Sequence, residues 1–377
     1  MRALWLTRPD LQTSPGGDTT QILETAAALE KRDVVVEMSS ARRPDFDRFD
    51  IVHLFHLDRV WENVGWCRQI RAAGVPSVLS PIYWPSDDFD RNGREGLGAA
   101  LTQLGGAGPY HYLKLLHRGL LPLLKRGELT ALRDAGRGYR LARRFVLDTV
   151  DVLLPNSRAE RDQLEARFEL HQPLFVVRNA VNPETFFDDH GVRQLDVESD
   201  PCTLLYVGRI EPRKNQLMLI RALRDSGLRL RIIGRAGDFH RGYERRCRRE
   251  AGPNVEFLGW RTPQELQRWY RASGVHVCPS WYETPGLASL EAACCGCPIV
   301  VTSRGSTHEY FGDQAEYCDP GDAHSILTAI QRALERPAPS SLGHTIAAEF
   351  TWEAAAVETL EAYDRAVKTG TGRSGRT

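Results

Sequence analysis

The chain contains very little lysine. Its lysines are Lys31, Lys114, Lys125, Lys214 and Lys368, and arginine supplies the remaining positive charge. Basic and acidic residues balance at 49 each, so the formal net charge is zero. A neutral chain gives no electrostatic argument for a nucleic-acid partner, and we predict none. A lysine in such a chain is of interest as a compact charge that can bind phosphate.

Long apolar runs are also missing. No stretch of about 18 apolar residues occurs, which predicts that no helix crosses a membrane. The first residues lead directly into Ala3-Leu4-Trp5-Leu6, a strand-like run without the form of a secretory signal. We therefore expect a cytoplasmic protein. With 377 residues the chain is too long for one small hydrophobic core, which predicts two domains.

Metal-binding patterns are weak. Cys294-Cys295-Gly296-Cys297 does not have the spacing of a zinc pair, and no histidine pair accompanies it. Asp45-Phe46-Asp47 and Asp87-Asp88-Phe89-Asp90 are similar to the Asp-x-Asp metal motif of some sugar transferases, but short acidic pairs are common by chance. We predict buried, reduced thiols, no metal and no other cofactor.

Short apolar runs alternate with helical segments along most of the chain, which predicts an α/β fold with parallel sheets covered on both faces. The first half opens with a strand Arg2–Thr7, a helix from about Thr19 to Arg32 and a strand Val34–Met38. In the second half, strands are predicted at Thr203–Val207, Arg229–Ile233, Val255–Leu258, Val275–Cys278 and Pro298–Thr302. Helices are predicted between them at about Asn215–Arg224, Phe239–Arg249, Pro263–Ala272 and Leu287–Cys295.

The stretch 84–144 interrupts this alternation. Gly93–Gly108 is rich in glycine, and Tyr110–Leu124 and Glu128–Val150 have helical composition. Arg137, Arg140 and Arg144 share one face of the second helix by their spacing. Two interpretations stay open for this basic face, a solvated surface or contact with an anionic acceptor or the inner face of a membrane.

Three positions in the first half are candidates for ligand contact. Gly16 and Gly17 lie in the first β–α loop, where the glycines serve either a tight turn or close approach of the backbone to a ligand. The loop is not Gly-x-Gly-x-x-Gly, so no dinucleotide site is predicted. His53 and His56 point to opposite faces of a strand, so they do not form a metal pair. Either could be structural, and one at the strand's carboxyl end could meet substrate.

Two loops of the second half carry the strongest functional signal. Gly208-Arg209 and Lys214 follow a strand and precede a helix. Glu283 lies before the helix that begins near Gly286-Leu287, and Glu291 lies about one turn inside it. Both loops are predicted at the carboxyl ends of parallel strands, where ligands bind in open α/β sheets.

The residue types in these loops suit a diphosphate flanked by two polyols. Arg209 can grip phosphate oxygens with two hydrogen bonds, and Lys214 adds a point charge. The helix start near Leu287 offers N–H groups to an anion. Glu283 and Glu291 can accept hydrogen bonds from the hydroxyls of a transferred sugar and a ribose. Charge on a departing nucleoside diphosphate would then be stabilised without a metal. Glu211 and Arg213 are expected to be solvated.

These motifs resemble those of glycosyltransferase family 4, a retaining family with the GT-B fold. The resemblance is strong over about Leu204–Leu334 and includes Val255–Gly259, Pro279-Ser280 and Ala315–Asp322. It is weaker but collinear in the first half, at Gly16-Gly17, Ile51-Val52-His53, Leu154–Ser157 and Asn179–Asn182.

The resemblance implies roles for individual residues. Arg209 and Lys214, beside Gly208, would hold the donor diphosphate. Glu283 would contact the transferred sugar and act with them in catalysis. Glu291 would bind the ribose hydroxyls, and the N–H groups of Gly286 and Leu287 would bind phosphate. The backbone at Leu258 would border the base. Gly16, Gly17 and His53 would face the diphosphate or the acceptor.

Three departures from the family pattern are visible. Glu283-Thr284-Pro285-Gly286 has a proline that cannot donate an N–H to phosphate. Asn179–Asn182 reads Asn-Ala-Val-Asn where family members have Asn-Gly-Val-Asp. The histidine that many members carry after their fourth strand is not evident in Leu79–Tyr83. His53, His111 and His117 are candidates for its role.

We therefore expect a GT-B protein with two Rossmann-like domains, whose parallel sheets face a central cleft. Residues 1–185 would bind the acceptor and be completed by a C-terminal helix 352–368. We expect a hinge at residues 186–200 and a donor-binding domain at residues 201–351. The tail, residues 369–377, is expected to be disordered.

The predicted activity is retaining transfer of a sugar from a nucleotide-diphosphate sugar to a hydroxyl of a glycan or lipid-linked acceptor. Polysaccharide, glycolipid or cell-envelope glycan biosynthesis would be the setting. Two alternatives stay open: a non-catalytic nucleotide-sugar binder, and a nucleotide-sugar epimerase or phosphorylase on the same fold.

Overall fold

The computed structural model describes residues 1–13, 15–94, 138–187, 200–336 and 340–371. The chain forms two compact units, Met1–Arg178 with Ala355–Thr377 and Asn179–Ala354. The first unit thus ends at Arg178, earlier than the expected residue 185. Residues 188–199 of the expected hinge lie outside the described residues, as do His111, His117, Arg137 and most of the tail.

The first unit contains a parallel sheet with the order β2-β1-β3-β4-β5. Its strands are β1 Arg2–Leu6, β2 Val35–Ser39, β3 Ile51–Phe55, β4 Ser77–Ser80 and β5 Val152–Leu153. The central strand β3 is buried along its whole length, because both faces of the sheet are covered. Leu153 of β5 also forms a single parallel bridge with Leu174.

Helices of the first unit follow its strands. They are α1 Gly17–Glu30, α2 Val60–Ala73, α3 Tyr139–Leu147 and α4 Arg158–Arg167, with a π-helical turn at Phe89–Gly93. Ser157 caps α4 by accepting from the Glu160 N–H at 2.9 Å. The Glu160 carboxylate does not complete a capping box at Ser157. It accepts from the N–H groups of Tyr83 and Asn156, both at 2.7 Å, and so joins the ends of β4 and β5.

Two residues of the predicted basic face are described, Arg144 and the exposed Arg140. Arg144 pairs with Asp148 at 2.9 Å and with Glu169 at 3.4 Å. Arg143, which the sequence did not place on this face, pairs with Asp58. The ion pairs of Arg144 favour a solvated surface at that position. Across the described ranges, no helix is long and apolar enough to cross a membrane.

The second unit contains a parallel sheet with the order β11-β10-β9-β6-β7-β8. Its strands are β6 Asp200–Val207, β7 Arg229–Ile233, β8 Val255–Gly259, β9 Ser273–Cys278, β10 Ile299–Thr302 and β11 Glu316–Cys318. The chain adds strands on one side of β6, then returns and adds β9 to β11 on the other. This reversal places the loops after β6 and β9 side by side, where open α/β sheets bind ligands.

Helices cover both faces of this sheet. They are α5 Pro183–Phe186, α6 Gln216–Ala222, α7 Arg241–Glu250, α8 Pro263–Ala272, α9 Leu287–Cys294, α10 Thr307–Phe311, α11 Ala323–Glu335 and α12 Ser340–Glu349, with 3-10 turns at Pro212–Lys214, Asp238–His240 and Gly312–Gln314. Alternate residues of β6 enter opposite cores: Leu205 packs in the cluster that includes Leu290, and Leu204 in the cluster that includes Ile330.

The last helix, α13, spans Trp352–Thr371 and extends beyond the predicted end at residue 368. From Ala355 onward it belongs to the first unit. Its Tyr363 is fully buried there, and the Tyr363 hydroxyl accepts from Trp5 Nε1 at 2.8 Å. The C-terminal helix thus completes the core around β1.

No disulfide joins the cysteines of the described ranges. Cys202 is exposed and Cys295 is half-buried, whereas the others are buried. In the ranges that the structure describes, no group of three or more His, Cys, Asp or Glu side chains could hold a metal ion.

Candidate active site

Lys214 and Glu283 form a buried ion pair where β6 and β9 end. The Lys214 ammonium donates to Glu283 Oε1 at 2.5 Å. Lys214 closes the 3-10 turn after β6, and Glu283 lies in the loop between β9 and α9. Only 15% and 6% of the two side chains are exposed. The sequence predicted both residues for the site but not their direct pairing.

The Glu283 carboxylate is held in its charged form. Burial alone would raise its pKa, but the charges of Lys214 and Arg213 and hydrogen bonds from Lys214 and Ser280 lower the pKa to about 2. The Cys278 thiol also donates to Oε1, at 3.6 Å. A carboxylate with so low a pKa is a weak proton acceptor at neutral pH.

Arg213 and Glu211 are part of this network, so the expectation that they are solvated was wrong. Glu211 is buried, and its carboxylate accepts from Arg213 Nη2 at 3.1 Å. Arg213 Nη1 donates to the Tyr282 carbonyl at 3.0 Å, and the Arg213 carbonyl accepts from the Trp281 N–H at 2.8 Å. The 3-10 turn after β6 presses both residues against the loop after β9, which removes them from water.

Arg209 is the more accessible cation of the loop after β6. Its side chain is 40% exposed and lies 3.6 Å from Glu211 Oε1. Burial would raise the pKa of Glu211, but Arg213, Arg209 and Lys214 lower it, so this carboxylate is also charged. Arg209 therefore has a nearby anchor and an exposed guanidinium that can reach a ligand.

Gly286 brings the start of α9 against Glu283. Its φ of +92° lies in the region that favours glycine. A Cβ at this position would lie 3.4 Å from the Glu283 side chain. Leu287 is the first residue of α9, and the first N–H groups of a helix have no intrahelical acceptor. The Thr284–Pro285 peptide before it is cis.

Glu291 lies inside α9 and is bound by a tyrosine of α8. The Tyr270 hydroxyl donates to Glu291 Oε2 at 2.9 Å. Burial raises the pKa of Glu291 to about 7, against the opposing effect of this hydrogen bond. Tyr270 was not recognised from the sequence, because its aromatic ring at the end of α8 reads as an ordinary core position.

Two glycine contacts fix the loops through the backbone. A Cβ on Gly234 would lie 1.9 Å from the Gly208 carbonyl oxygen. A Cβ on Gly305 would lie 2.0 Å from the Glu283 carbonyl oxygen. Both glycines have positive φ. Half-buried Leu258 lies in β8, whose last residue, Gly259, accepts from the Gly234 N–H at 2.8 Å.

The candidate residues of the first unit divide into two groups. Gly16 has an extended backbone, and its N–H donates to Thr19 Oγ1 at 3.1 Å. Gly17 is the first residue of α1. Both therefore lie at the carboxyl edge of the first sheet, where a ligand can approach the start of a helix.

His53 lies elsewhere, inside the core. It is 2% exposed, and both ring nitrogens have protein partners. Nδ1 bonds to the Tyr363 hydroxyl at 2.8 Å, and Nε2 bonds to Ser80 Oγ at 2.9 Å. Burial lowers the pKa of His53 to about 3, so the ring is neutral. This geometry is that of a structural histidine joining α13 to β3, the alternative that the sequence left open.

Comparison with known proteins places these features in a family context. The family model for glycosyl transferases group 1 matches residues 190–346. The O-antigen chain mannosyltransferase B of Escherichia coli is 32% identical over 42% of this chain, which is 45% of that enzyme. The D-inositol 3-phosphate glycosyltransferase of Pseudarthrobacter chlorophenolicus is 27% identical over 93% of this chain and 91% of its own length.

Solved structures show the same fold. A sucrose-phosphate synthase from Thermosynechococcus elongatus superimposes with a TM-score of 0.71 at 18% identity, over 98% of this chain and 99% of that one. The Anabaena protein HepE, in complex with UDP and glucose, gives a TM-score of 0.60 at 15% identity over the whole of both chains.

The two parallel-sheet units and these structural matches show the GT-B fold that the sequence predicted. The family match over residues 190–346 and the relatives support a family 4-like glycosyltransferase. They do not favour the binder and epimerase alternatives.

Proposed function

We propose that this protein transfers a sugar from a nucleoside diphosphate sugar to an acceptor hydroxyl and retains the anomeric configuration. The observation that carries the proposal is the ion pair between Lys214 and Glu283, 2.5 Å long, beside the exposed Arg209 and the start of α9. In this proposal the second unit binds the donor, and the first unit supplies acceptor-binding residues near Gly16 and Gly17.

The cationic groups are assigned to the leaving diphosphate. Arg209 and Lys214 stabilise the charge that develops as the sugar departs, and the N–H groups at Gly286 and Leu287 add hydrogen bonds. The Gly208 and Leu258 backbones lie beside the donor in this assignment. We propose that these side chains make a metal ion unnecessary.

The two carboxylates are assigned to hydroxyl groups. Glu283 binds the transferred sugar and stabilises positive charge at its reacting carbon, while Glu291 binds the ribose. The low pKa of Glu283 makes it a poor general base. That property supports a retaining reaction in which an oxygen of the leaving phosphate takes the acceptor proton.

The proposed setting is glycan assembly in the cytoplasm, in polysaccharide, glycolipid or cell-envelope biosynthesis. A mannosyltransferase of O-antigen chains is among the relatives, which supports a growing glycan or lipid-linked chain as acceptor. HepE was solved with UDP and glucose, which supports a nucleotide-sugar donor. Free thiols are typical of a reducing compartment.

The first experiment is a thermal-unfolding screen with UDP, GDP, ADP and dTDP and their glucose and mannose conjugates. A ligand at 100 times its dissociation constant should add about 2.7 kcal/mol to the free energy of unfolding. Arg209→Ala should remove most of this gain, whereas the exposed Arg245→Ala should not. If no nucleotide stabilises the wild type, the nucleotide-sugar donor is wrong.

The reaction itself is tested with the nucleotide that binds. Transfer should persist in excess EDTA, and NMR of the product should show the anomeric configuration of the donor. Inverted product contradicts the retaining assignment, and loss of transfer in EDTA contradicts metal independence. Release of free sugar alone, with every acceptor tried, contradicts transfer.

A further inference from the structure

The carboxyl edge of the first sheet carries a histidine–aspartate–arginine cluster that the sequence did not single out. Arg8 follows β1, Asp18 is the second residue of α1, and His56 follows β3. Strands β1 and β3 are adjacent and parallel, so the residues after them meet at one edge. This is the same edge as Gly16 and Gly17.

Asp18 accepts hydrogen bonds from both neighbours through one oxygen. Arg8 Nε donates to Asp18 Oδ2 at 2.7 Å, and His56 Nε2 lies 3.2 Å from the same atom. The Arg8 and Asp18 side chains are 5% and 13% exposed. The His56 side chain is 17% exposed, so part of it reaches the surface.

The chemistry of Asp18 fixes the proton on the histidine. Burial would raise the pKa of Asp18, but His56 and Arg8 lower it strongly, so the carboxylate is charged. A charged carboxylate only accepts hydrogen bonds, so His56 Nε2 must carry the proton. In the neutral ring Nδ1 is then an acceptor. Within the described ranges, Nδ1 has no hydrogen-bond partner.

The backbone holds His56 in an unfavourable conformation. Its φ of +63° is left-handed, a conformation that residues other than glycine seldom adopt. The His56 N–H donates to the Ser80 carbonyl at 3.0 Å, and its own carbonyl accepts from Asn63 Nδ2 at 2.8 Å. Such strain persists only where the surroundings impose it, and it is concentrated at functional sites.

The charges around His56 leave no excess of positive charge. Arg8 contacts Asp18 and lies 3.2 Å from Asp10, and Arg59 lies 3.1 Å from Asp10. Arg59 also pairs with Glu62 at 3.1 Å, so two arginines face three carboxylates. An edge without excess positive charge favours an uncharged ligand over a phosphate.

We propose that His56, positioned by Asp18 and Arg8, binds an uncharged sugar or polyol hydroxyl of the acceptor through Nδ1. The ligand's role as an acceptor rests on the proposed transfer reaction, but its binding to His56 can be tested without a donor. It assigns to His56 the contact that the sequence expected of His53, whose nitrogens are both occupied.

The test uses the full chain labelled with ¹⁵N-histidine, with methyl α-D-mannopyranoside and myo-inositol as neutral probes and inorganic phosphate as the anionic probe. His56→Gln identifies the His56 resonances. A saturable shift of the His56 Nδ1 resonance by a neutral probe, at least threefold larger than with phosphate, is expected. No shift at 100 mM of either neutral probe, or a shift with phosphate alone, overturns the proposal.

Two variants separate the contact from the fold. In His56→Gln the amide can keep the Asp18 contact but lacks an acceptor at the Nδ1 position. His56→Asn places an oxygen near Nδ1 and tolerates a left-handed backbone. We expect His56→Gln to bind the neutral probe at least tenfold more weakly than His56→Asn. Equal affinity of the Gln variant and the wild type overturns the proposal.

Donor binding distinguishes this inference from the proposed function. In the thermal screen, His56→Gln should be stabilised by the nucleotide as much as the wild type, while the acceptor KM of transfer rises at least tenfold with kcat changed less. A normal acceptor KM overturns the inference and leaves the transferase proposal standing. A wild type that binds no nucleotide defeats the transferase proposal, and the histidine NMR result remains decisive for His56.

Discussion

The carboxyl edges of the two sheets are built alike but carry different charge. In the first unit, Arg8 and Arg59 face Asp10, Asp18 and Glu62, so this cluster has one negative charge in excess. In the second unit, Arg209, Arg213 and Lys214 face Glu211 and Glu283, so one positive charge is left over. A helix begins at each edge. The same topology can thus offer hydroxyl binding in one unit and diphosphate binding in the other, depending on the count of charged side chains.

The largest effect that would test this contrast is expected from breaking the second unit's ion pair. Lys214→Met leaves Glu283 buried without its closest cation, which costs about 3–5 kcal/mol of unfolding free energy. Sugar transfer should fall by about 10³-fold or more. Thermal unfolding and a transfer assay measure the two effects.

The double variant Lys214→Met/Glu283→Gln serves as the control. It should recover much of the lost stability because no unpaired charge remains, but it should not recover transfer. Recovery of transfer would mean that the pair only supports the fold, and the charge difference between the two edges would lose its functional meaning.

The next largest effect is expected from the close backbone contact between Gly234 and Gly208. Gly234→Ala places a Cβ 1.9 Å from the Gly208 carbonyl oxygen, at a φ of +143°. We expect a loss of about 2–4 kcal/mol in unfolding free energy and a weakened nucleotide response. Gly242→Ala is the matched control, because a Cβ there meets nothing within 4 Å. Equal stability of the two variants would show that the loop after β6 can shift at little cost to accommodate the added Cβ.

In the first unit, Trp5, Tyr363 and His53 are buried and joined by hydrogen bonds. Breaking these hydrogen bonds should affect stability alone. Tyr363→Phe removes the hydroxyl that bonds to Trp5 Nε1 and His53 Nδ1, both at 2.8 Å. Two buried groups lose a partner, so we expect a loss of about 2–3 kcal/mol. Chemical denaturation measures it, and nucleotide affinity should stay unchanged. A change in affinity would contradict the separation between the first unit's core and donor binding.

The smallest expected effect concerns pH. The pKa of Glu291 is about 7, raised above its ordinary value, so the fraction of charged carboxylate grows as pH rises through 7. A charged carboxylate binds hydroxyls more strongly, so donor affinity should increase by about tenfold from pH 6 to pH 8. Glu291→Gln should lower the affinity and flatten this dependence. Calorimetric titration at several pH values measures donor affinity. A pH dependence that is the same in Glu291→Gln as in the wild type would contradict this role of Glu291.

The folding free energy should show the opposite sign for the same group. Because the folded-state pKa of Glu291 exceeds its unfolded value, the neutral form is favoured by folding, and this contribution is lost as pH rises towards 7. Glu283 acts in the reverse direction. Its lowered pKa stabilises the fold above the ordinary carboxyl pKa, and that contribution is lost as pH falls towards 2.

The sequence predicted the second unit more fully than the first. Short apolar runs and glycine-marked loops place Lys214 and Glu283 at strand ends, and parallel strands bring those ends to one edge of the sheet. The pairing of Arg213 with Glu211 was missed, because a charged residue in a loop is usually solvated and only the 3-10 turn buries these two. Helices α10 and α12 were missed because each is short or follows an uneven apolar pattern.

The histidines of the first unit show a second limit of sequence reasoning. Strand alternation does not apply to His56, which follows β3 with a left-handed backbone, and it does not say which of the two histidines is enclosed. That depends on Tyr363, which lies 310 residues away from His53 in the chain. Such a contact carries no local signal, so the buried and the accessible histidine are distinguished only in the folded structure.

The distribution of thiols has a practical consequence. Cys202 is exposed at the beginning of β6, while the other cysteines are buried or half-buried. A maleimide fluorophore added briefly at neutral pH should therefore attach to Cys202 first. The natural chain can thus carry a single dye on the second unit, and its fluorescence would follow ligand binding without any engineered cysteine.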